Sequence, residues 1–291
     1  MKKMPIFRIF YDFFRNSAYL LKSNHSKKIK KKLFSYMIKI NLKYLLMNKF
    51  VKLKREKIFQ YDISTFDYVS IQEQFEEIFY RNGYYFKADN KNPIIIDCGA
   101  NMGFSIIYFK WLYPESTIYG FEPDKETFEL LKRNVTKNKL TNVHLINAAV
   151  SDKNGKIDFF IDPKHPGNPA MSTRCGRMPK NKVTVQSVSL SSFIKNNKLK
   201  QIDFIKMDIE GSEKEVLKDL NKNKMFNKIK KLLIEYHHKI PGEKSCLGDY
   251  LKIFEKNKFE YQIDARCIPI NSHNKSQGDT LIYCYRNKED T

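Results

Sequence analysis

Residues 94–104 read IIIDCGANMGF, and how this stretch turns decides the fold. Ile94, Ile95 and Ile96 are consecutive β-branched apolar residues, so a short buried strand is expected over 94–97. Gly99-Ala100-Asn101-Met102-Gly103 then makes a turn, and the helix-period segment FSIIYFKWLY follows. Strand, glycine turn and helix in that order form the first unit of a nucleotide-binding α/β domain. The turn itself narrows the ligand. A dinucleotide fingerprint needs Gly-x-Gly-x-x-Gly, and Asn101 stands where the second glycine belongs. No Gly-Lys-Ser/Thr follows, which excludes a P-loop.

Working outward, strand-like and helix-like segments alternate. Segments 116–124 and 142–152 read as strands that end in acid, with an amphipathic helix over 125–138 between them. Segments 155–161 and 182–190 are strand-like and flank DPKHPGNPAMSTRCGRMPKN (162–181). That loop has four prolines, two glycines and little periodicity, and its length suits a lid or binding loop better than a plain connector. Strands at 201–208 and 230–238, a helix at 247–258 and strands at 259–264 and 279–286 complete the pattern. Such alternation predicts a parallel, doubly wound sheet with helices on both faces.

In an open α/β sheet, ligands collect at the carboxyl ends of the strands. Here those ends carry Asp97, Glu122, Asp152, Asp208 with Glu210, and Glu235 with His237 and His238. The turn and acids together favour a ligand without phosphates, having an amino-acid end and a nucleoside end: S-adenosylmethionine. Gly99 and Gly103 would let the backbone approach it closely. Glu122 is placed for the ribose hydroxyls and Asp152 for the adenine amino group. Asp97, Asn101 and Asp208 complete the expected cofactor set.

IDCGANMG (96–103), FEPDKETFELLKRNVTKN (121–138), NAAVSDKNGKIDFF (147–160), VTVQSVSL (183–190) and IDFIKMDIEGSEKEVL (202–217) resemble the FkbM-type methyltransferases of the class I S-adenosylmethionine-dependent fold. Asp-x-Glu-Gly-x-Glu at 208–213 is the most specific of these signatures. IEYHH (234–238) matches the family's Glu-and-His strand end less tightly. The resemblance spans residues 70 to 240 and implies a seven-stranded Rossmann-like sheet. It also implies methyl transfer, usually to an oxygen of a sugar, glycan or small metabolite, often in bacterial pathways. Such a transfer is an in-line displacement, helped by alignment and by a base for the hydroxyl. Asp208 is expected to orient cofactor or acceptor, and Glu210 to position the acceptor or remove its proton. His237 is the candidate base by intrinsic pKa, with Glu235 as its orienter. No metal is expected, because no further Asp-Asn ligand pair accompanies Asp208. Asn134 and Asn138 are expected to cap and terminate a helix.

The net charge of +21 is unevenly distributed. Residues 1–60 hold 17 Lys and Arg against Asp12 and Glu56, so the basicity belongs to the N-terminus and not to the catalytic body. The expected division is therefore a basic helical extension over 1–65 and a methyltransferase domain over 66–291. Within the extension, Ile6, Ile9, Phe10, Phe13, Ser17, Leu20 and Leu21 share one helical face, and a second stripe runs over 33–50 after the lysines of 27–33. These stripes suit packing on the body, a second subunit in a homo-oligomer, or peripheral association with an anionic membrane surface. A nucleic-acid partner is disfavoured, since the basic residues avoid the body and no Asn/Asp-Pro-Pro-Tyr/Phe motif appears. The competing readings are an RNA methyltransferase using the basic arm, and a non-catalytic binding module with this fold. Five scattered cysteines read as free thiols in a reducing compartment, and no apolar run or signal pattern appears, so a cytoplasmic location is expected, with the membrane's inner face as its possible periphery.

Overall fold

The computed structural model describes residues 6–23, 25–47, 54–168, 170–175, 181–237, 240, 242–265 and 279–286. Two helices come first, α1 (Ile6–Lys22) and α2 (Lys27–Met47), followed by a hairpin of β1 (Lys54–Ile58) and β2 (Tyr61–Thr65). The hairpin was not expected, because KREKI looks polar throughout. Its burial alternates residue by residue, and the inward Glu56 meets Lys39 at 2.7 Å and Lys43 at 2.5 Å from α2. Next is α3 (Tyr68–Phe75), capped by Asp67, whose carboxylate accepts from the Ser70 amide; it continues as one π-helical turn, Glu76–Tyr80.

The nucleotide-binding part begins at β3 (Ile94–Cys98), α4 (Phe104–Leu112), β4 (Thr117–Phe121), α5 (Lys125–Lys137) and β5 (Val143–Ile146). The expected strand over 142–152 is broken at Asn147, whose amide donates to the Glu122 and Pro123 carbonyls. Its second half is a separate strand, β6 (Ala149–Ser151), which pairs with β8 (Lys182–Ser189) beside β7 (Gly155–Phe160) in a small three-stranded sheet. Then come α6 (Leu190–Asn196), β9 (Phe204–Met207), α7 (Glu213–Lys222), β10 (Lys231–His237), α8 (Leu247–Lys256), β11 (Glu260–Ala265) and β12 (Asp279–Tyr285).

The main sheet has seven strands in the order β11-β12-β10-β9-β3-β4-β5. From β10 to β5 its pairings are parallel, while β12 runs antiparallel to both neighbours. Chain order reverses between β3 and β9, so the ligand crevice is expected above their carboxyl ends. These inner strands are buried almost continuously, as parallel strands covered by helices must be. Apolar clusters occupy both sheet faces. One of them joins Leu20, Leu33, Met37 and Ile40 of the first two helices to Phe75, Phe104 and Phe204, so the extension shares a core with the body.

The packed face of α1 is rotated from the one expected. Asn16 is buried and donates to Glu76 at 2.7 Å, while Leu21 points outward. Asn134, expected as a cap, lies inside α5 and is buried. Its amide links the Ser64 backbone of β2 to the Met102 carbonyl of the glycine turn, at 2.8 to 2.9 Å. Asn138 does terminate α5. The described cysteines are unpaired thiols, and Cys267 lies outside the described residues. No described helix is long and apolar enough to cross a membrane.

Candidate active site

A cavity of about 670 Å³ opens over the carboxyl ends of β3, β4, β9 and β10. Gly99, Asn101, Glu122, Asp208, Glu210, Glu235 and His237 all line it. Residues from α1, α3 and the π-turn, and from the loop after β7, form its other walls.

The glycine turn is shaped by close backbone contacts. A Cβ on Gly99 would lie 2.0 Å from the Asp208 carbonyl oxygen, so only glycine lets β3 and β9 end side by side here. The Gly99 and Ala100 amides both donate to the Phe121 carbonyl. Asn101 sits at φ +46, a left-handed conformation that asparagine tolerates. Its backbone amide donates to Glu122 at 3.0 Å and its side chain to the Gly167 carbonyl at 3.3 Å. Gly103 does not reach the cavity: it starts α4 at φ +94, and a Cβ there would press on Leu131 at 2.7 Å.

Glu122 is buried, with one carboxylate oxygen accepting from Asn101 and the other from the Asp124 amide at 2.9 Å. Burial is the main influence on it and raises its pKa to about 8 despite those bonds. Asp97 lies under the turn, outside the cavity lining. It accepts from Ser105 at 2.5 Å and stands 3.6 Å from the ammonium of Lys206. Asp152 is exposed and does not line the cavity: it follows β6, whose Ala149 and Val150 do line it.

Lys206 was not singled out in the sequence, though a lone lysine inside the buried strand FIKM was its signal. Its ammonium donates to the Gly99 carbonyl at 2.7 Å and to Asp208 at 3.2 Å, tying the turn to the acid at the next strand end. Burial opposes its charge, but Asp208 and Asp97 hold its pKa above the usual lysine value.

The DIEGSE loop wraps around His237. Glu210 is in the left-handed region at φ +58, as is Gly211 at +112, where a Cβ would strike Arg174. Glu213, the first residue of α7, reaches back to accept from the Ile209 and Gly211 amides at 3.1 and 2.9 Å. The same carboxylate accepts from His237 Nδ1 at 3.2 Å, while Nε2 lies 3.1 Å from Glu210. Asp208 and Glu235 are 3.8 and 4.0 Å from Nε2. Burial pulls the His237 pKa down, but hydrogen bonds to Glu210 and Glu213 outweigh it and raise the value to about 12. These carboxylates favour the charged ring over a free base. Glu213, not the expected Glu235, is the residue bonded to Nδ1. Asp208, Glu235 and His237 each offer one donor within 4.8 Å of the others, a spacing that suits a cation. His238 lies outside the described residues.

The expected lid is fastened to this loop where it is described. Ser172 donates to the Glu210 carbonyl, and Arg174 bonds the Gly211 carbonyl at 2.9 Å and Glu215 at 2.5 Å.

The sequence is similar to those of known methyltransferases. Methyltransferase sdnD of Sordaria araneosa is 29% identical over 181 residues, covering 53% of this chain and 70% of its own. The 2-O-methyltransferase NoeI of Sinorhizobium fredii is 29% identical over 147 residues, 44% of this chain and 58% of its own. The hexuronic acid methyltransferase AglP of Haloferax volcanii is 24% identical over 148 residues, 50% of this chain and 57% of its own. The chain thus spans less than two thirds of the last two relatives. The model of the methyltransferase FkbM domain matches residues 97–261, more than half of the chain and the whole run from the glycine turn to the cluster around His237. The chain belongs to this family of methyltransferases, whose fold takes S-adenosylmethionine as its cofactor.

Proposed function

We propose that the chain transfers a methyl group from S-adenosylmethionine to a hydroxyl of a sugar, a glycan or a small metabolite. What carries this reading is a single cleft with two chemically distinct ends. The glycine turn and Glu122 form one end, and the acids around His237 form the other. Two relatives are named for 2-O-methylation and for a hexuronic acid, which supports a sugar hydroxyl as acceptor.

The residues fit the cofactor. Gly99 exposes backbone where a Cβ has no room, and Glu122 keeps a buried carboxylate with lone pairs left for two vicinal hydroxyls. Glu122 would hold the ribose, and Asp208, steadied by Lys206, the amino-acid end. The bound cofactor supplies an electrophilic methyl on a sulfonium. Asp208 or Glu235 would take the proton of the acceptor hydroxyl as its oxygen is methylated. His237 stays protonated throughout and holds Glu210 and Glu213 in place.

Calorimetric titration tests the reading: S-adenosylmethionine and S-adenosylhomocysteine should bind and NAD should not. Prior chelation should change neither binding nor turnover. Loss of turnover on chelation would move Asp208 and Glu235 to metal ligation, and failure of the first two ligands to bind would favour a non-catalytic module.

A further inference from the structure

The first two helices bury one side and leave another side apolar toward solvent. On α1, Tyr11, Phe14 and Leu21 are 66%, 70% and 73% exposed. With Ala18, also exposed, they follow helical spacing along one face. On α2, Phe34, Ile38 and Leu42 are exposed four residues apart, and exposed Lys27 and Lys31 continue the same stripe toward its N-terminus. Phe13 meets Phe34 edge to face at 5.7 Å, so the two stripes flank one seam. Seven of the ten large apolar side chains exposed among the described residues lie on this helix pair. Clustering of that kind marks an interaction surface.

We infer that this two-helix face docks on an anionic lipid bilayer. Charge and shape choose the occupant. Exposed Lys27 and Lys31 stand on the face itself, so a second copy of it would be repelled. A polyanionic RNA would engage the lysines and leave Phe14, Leu21, Ile38 and Leu42 in water. An anionic bilayer engages both, with the ammonium groups at the headgroups and the apolar residues at the acyl boundary. Docking is in the plane of the surface, since no described helix is long and apolar enough to span it. Tyr11 belongs to this face and also lines the cleft, so docking brings the cleft mouth to the lipid. None of this depends on the methyltransferase reading.

Deleting the helices would be a poor test, because Leu20, Leu33, Met37 and Ile40 belong to the core. The full chain should instead be sedimented with phosphatidylcholine vesicles, with and without phosphatidylglycerol. Two double variants accompany it, Phe14→Ser with Ile38→Ser and Lys27→Glu with Lys31→Glu. The wild type should sediment only with the anionic vesicles. Each double variant should lose about tenfold in apparent affinity while keeping its thermal unfolding temperature. The inference is overturned by no sedimentation with anionic vesicles, or by variants that bind like the wild type. A dimer in solution that the serine variant dissociates would overturn it in favour of self-association. Retention on single-stranded RNA without vesicle binding would overturn it in favour of nucleic acid.

Discussion

Glu210 and Glu213 each face one nitrogen of His237, at 3.1 and 3.2 Å, an arrangement that favours the doubly protonated ring. The folded pKa of about 12 lies above the ordinary 6.5, so this ring's contribution to stability is complete below about pH 6.5 and declines as pH rises toward 12. Imidazole nitrogen shifts should therefore report a doubly protonated His237 from pH 6 to pH 9; a titration inside that window would restore it as a base. His237→Phe should cost about 3 kcal/mol or more in urea unfolding, because it strands buried carboxylates. Glu122 behaves differently. Its pKa is raised from 4.5 to about 8, so its ionisation costs stability increasingly as pH rises through that interval, and ribose donors would relieve the cost. Cofactor affinity should rise with pH up to about 8, with a proton released on binding below it. Glu122→Ala should weaken binding at least tenfold, about 1.4 kcal/mol. Wild-type affinity in that variant would put the cofactor elsewhere. Glu122 was legible from the sequence because it ends a strand next to the glycine turn. The charge on His237 was not, because it depends on Glu213 folding back across the loop.

The order of strands and the glycine turn were readable because parallel inner strands leave unbroken apolar runs. Two features escaped for opposite reasons. The β1–β2 hairpin hides in a polar segment whose inward Glu56 is neutralised by lysines of α2. The break between β5 and β6 hides in an apolar segment, and just past β6 Asp152 is exposed outside the cleft lining. Asn134 and Asn138 bond the β2 backbone in the same way, at Ser64 and Asp62, but only Asn134 is fully buried and reaches the glycine turn. Asn134 satisfies the Ser64 amide and carbonyl and the Met102 carbonyl, all through a buried side chain. Asn134→Ala should cost about 2–3 kcal/mol, since it leaves buried polar groups without those partners. Asn138→Ala, at a half-buried helix end, should cost about 1 kcal/mol. Urea unfolding of both would check this, and equal losses would mean that the Met102 bond and deeper burial of Asn134 add nothing to stability.

The chain as a whole is strongly basic, yet its cleft is acidic. Seven carboxylates line the cavity, three of them from α3 and the π-turn: Glu73, Glu76 and Glu77. Against them stand Arg15, Arg81, Lys206 and the charged His237, and Glu76 already pairs with both arginines. The basic surface and the acidic cleft therefore suit ligands of opposite charge, and a phosphodiester chain is poorly matched to the latter. The same imbalance should select among sugars. A unit charge about 10 Å from one net negative charge feels roughly 1.7 kcal/mol at an effective dielectric constant of about 20, and about 1.4 kcal/mol is a factor of ten. A uronic acid acceptor should thus react at least tenfold more slowly, in kcat/KM, than the neutral sugar of the same stereochemistry. This would separate the chain from its relative named for a hexuronic acid. Added salt should narrow the gap through screening, and the Glu73→Gln, Glu77→Gln double variant should narrow it at low salt. The check is the methylation rate of paired neutral and uronic glycosides across ionic strength. A uronic acid that reacts as fast as its neutral partner would show that the acceptor sits beyond the reach of these carboxylates, and acceptor choice would then rest on the walls built by α1 and the loop after β7.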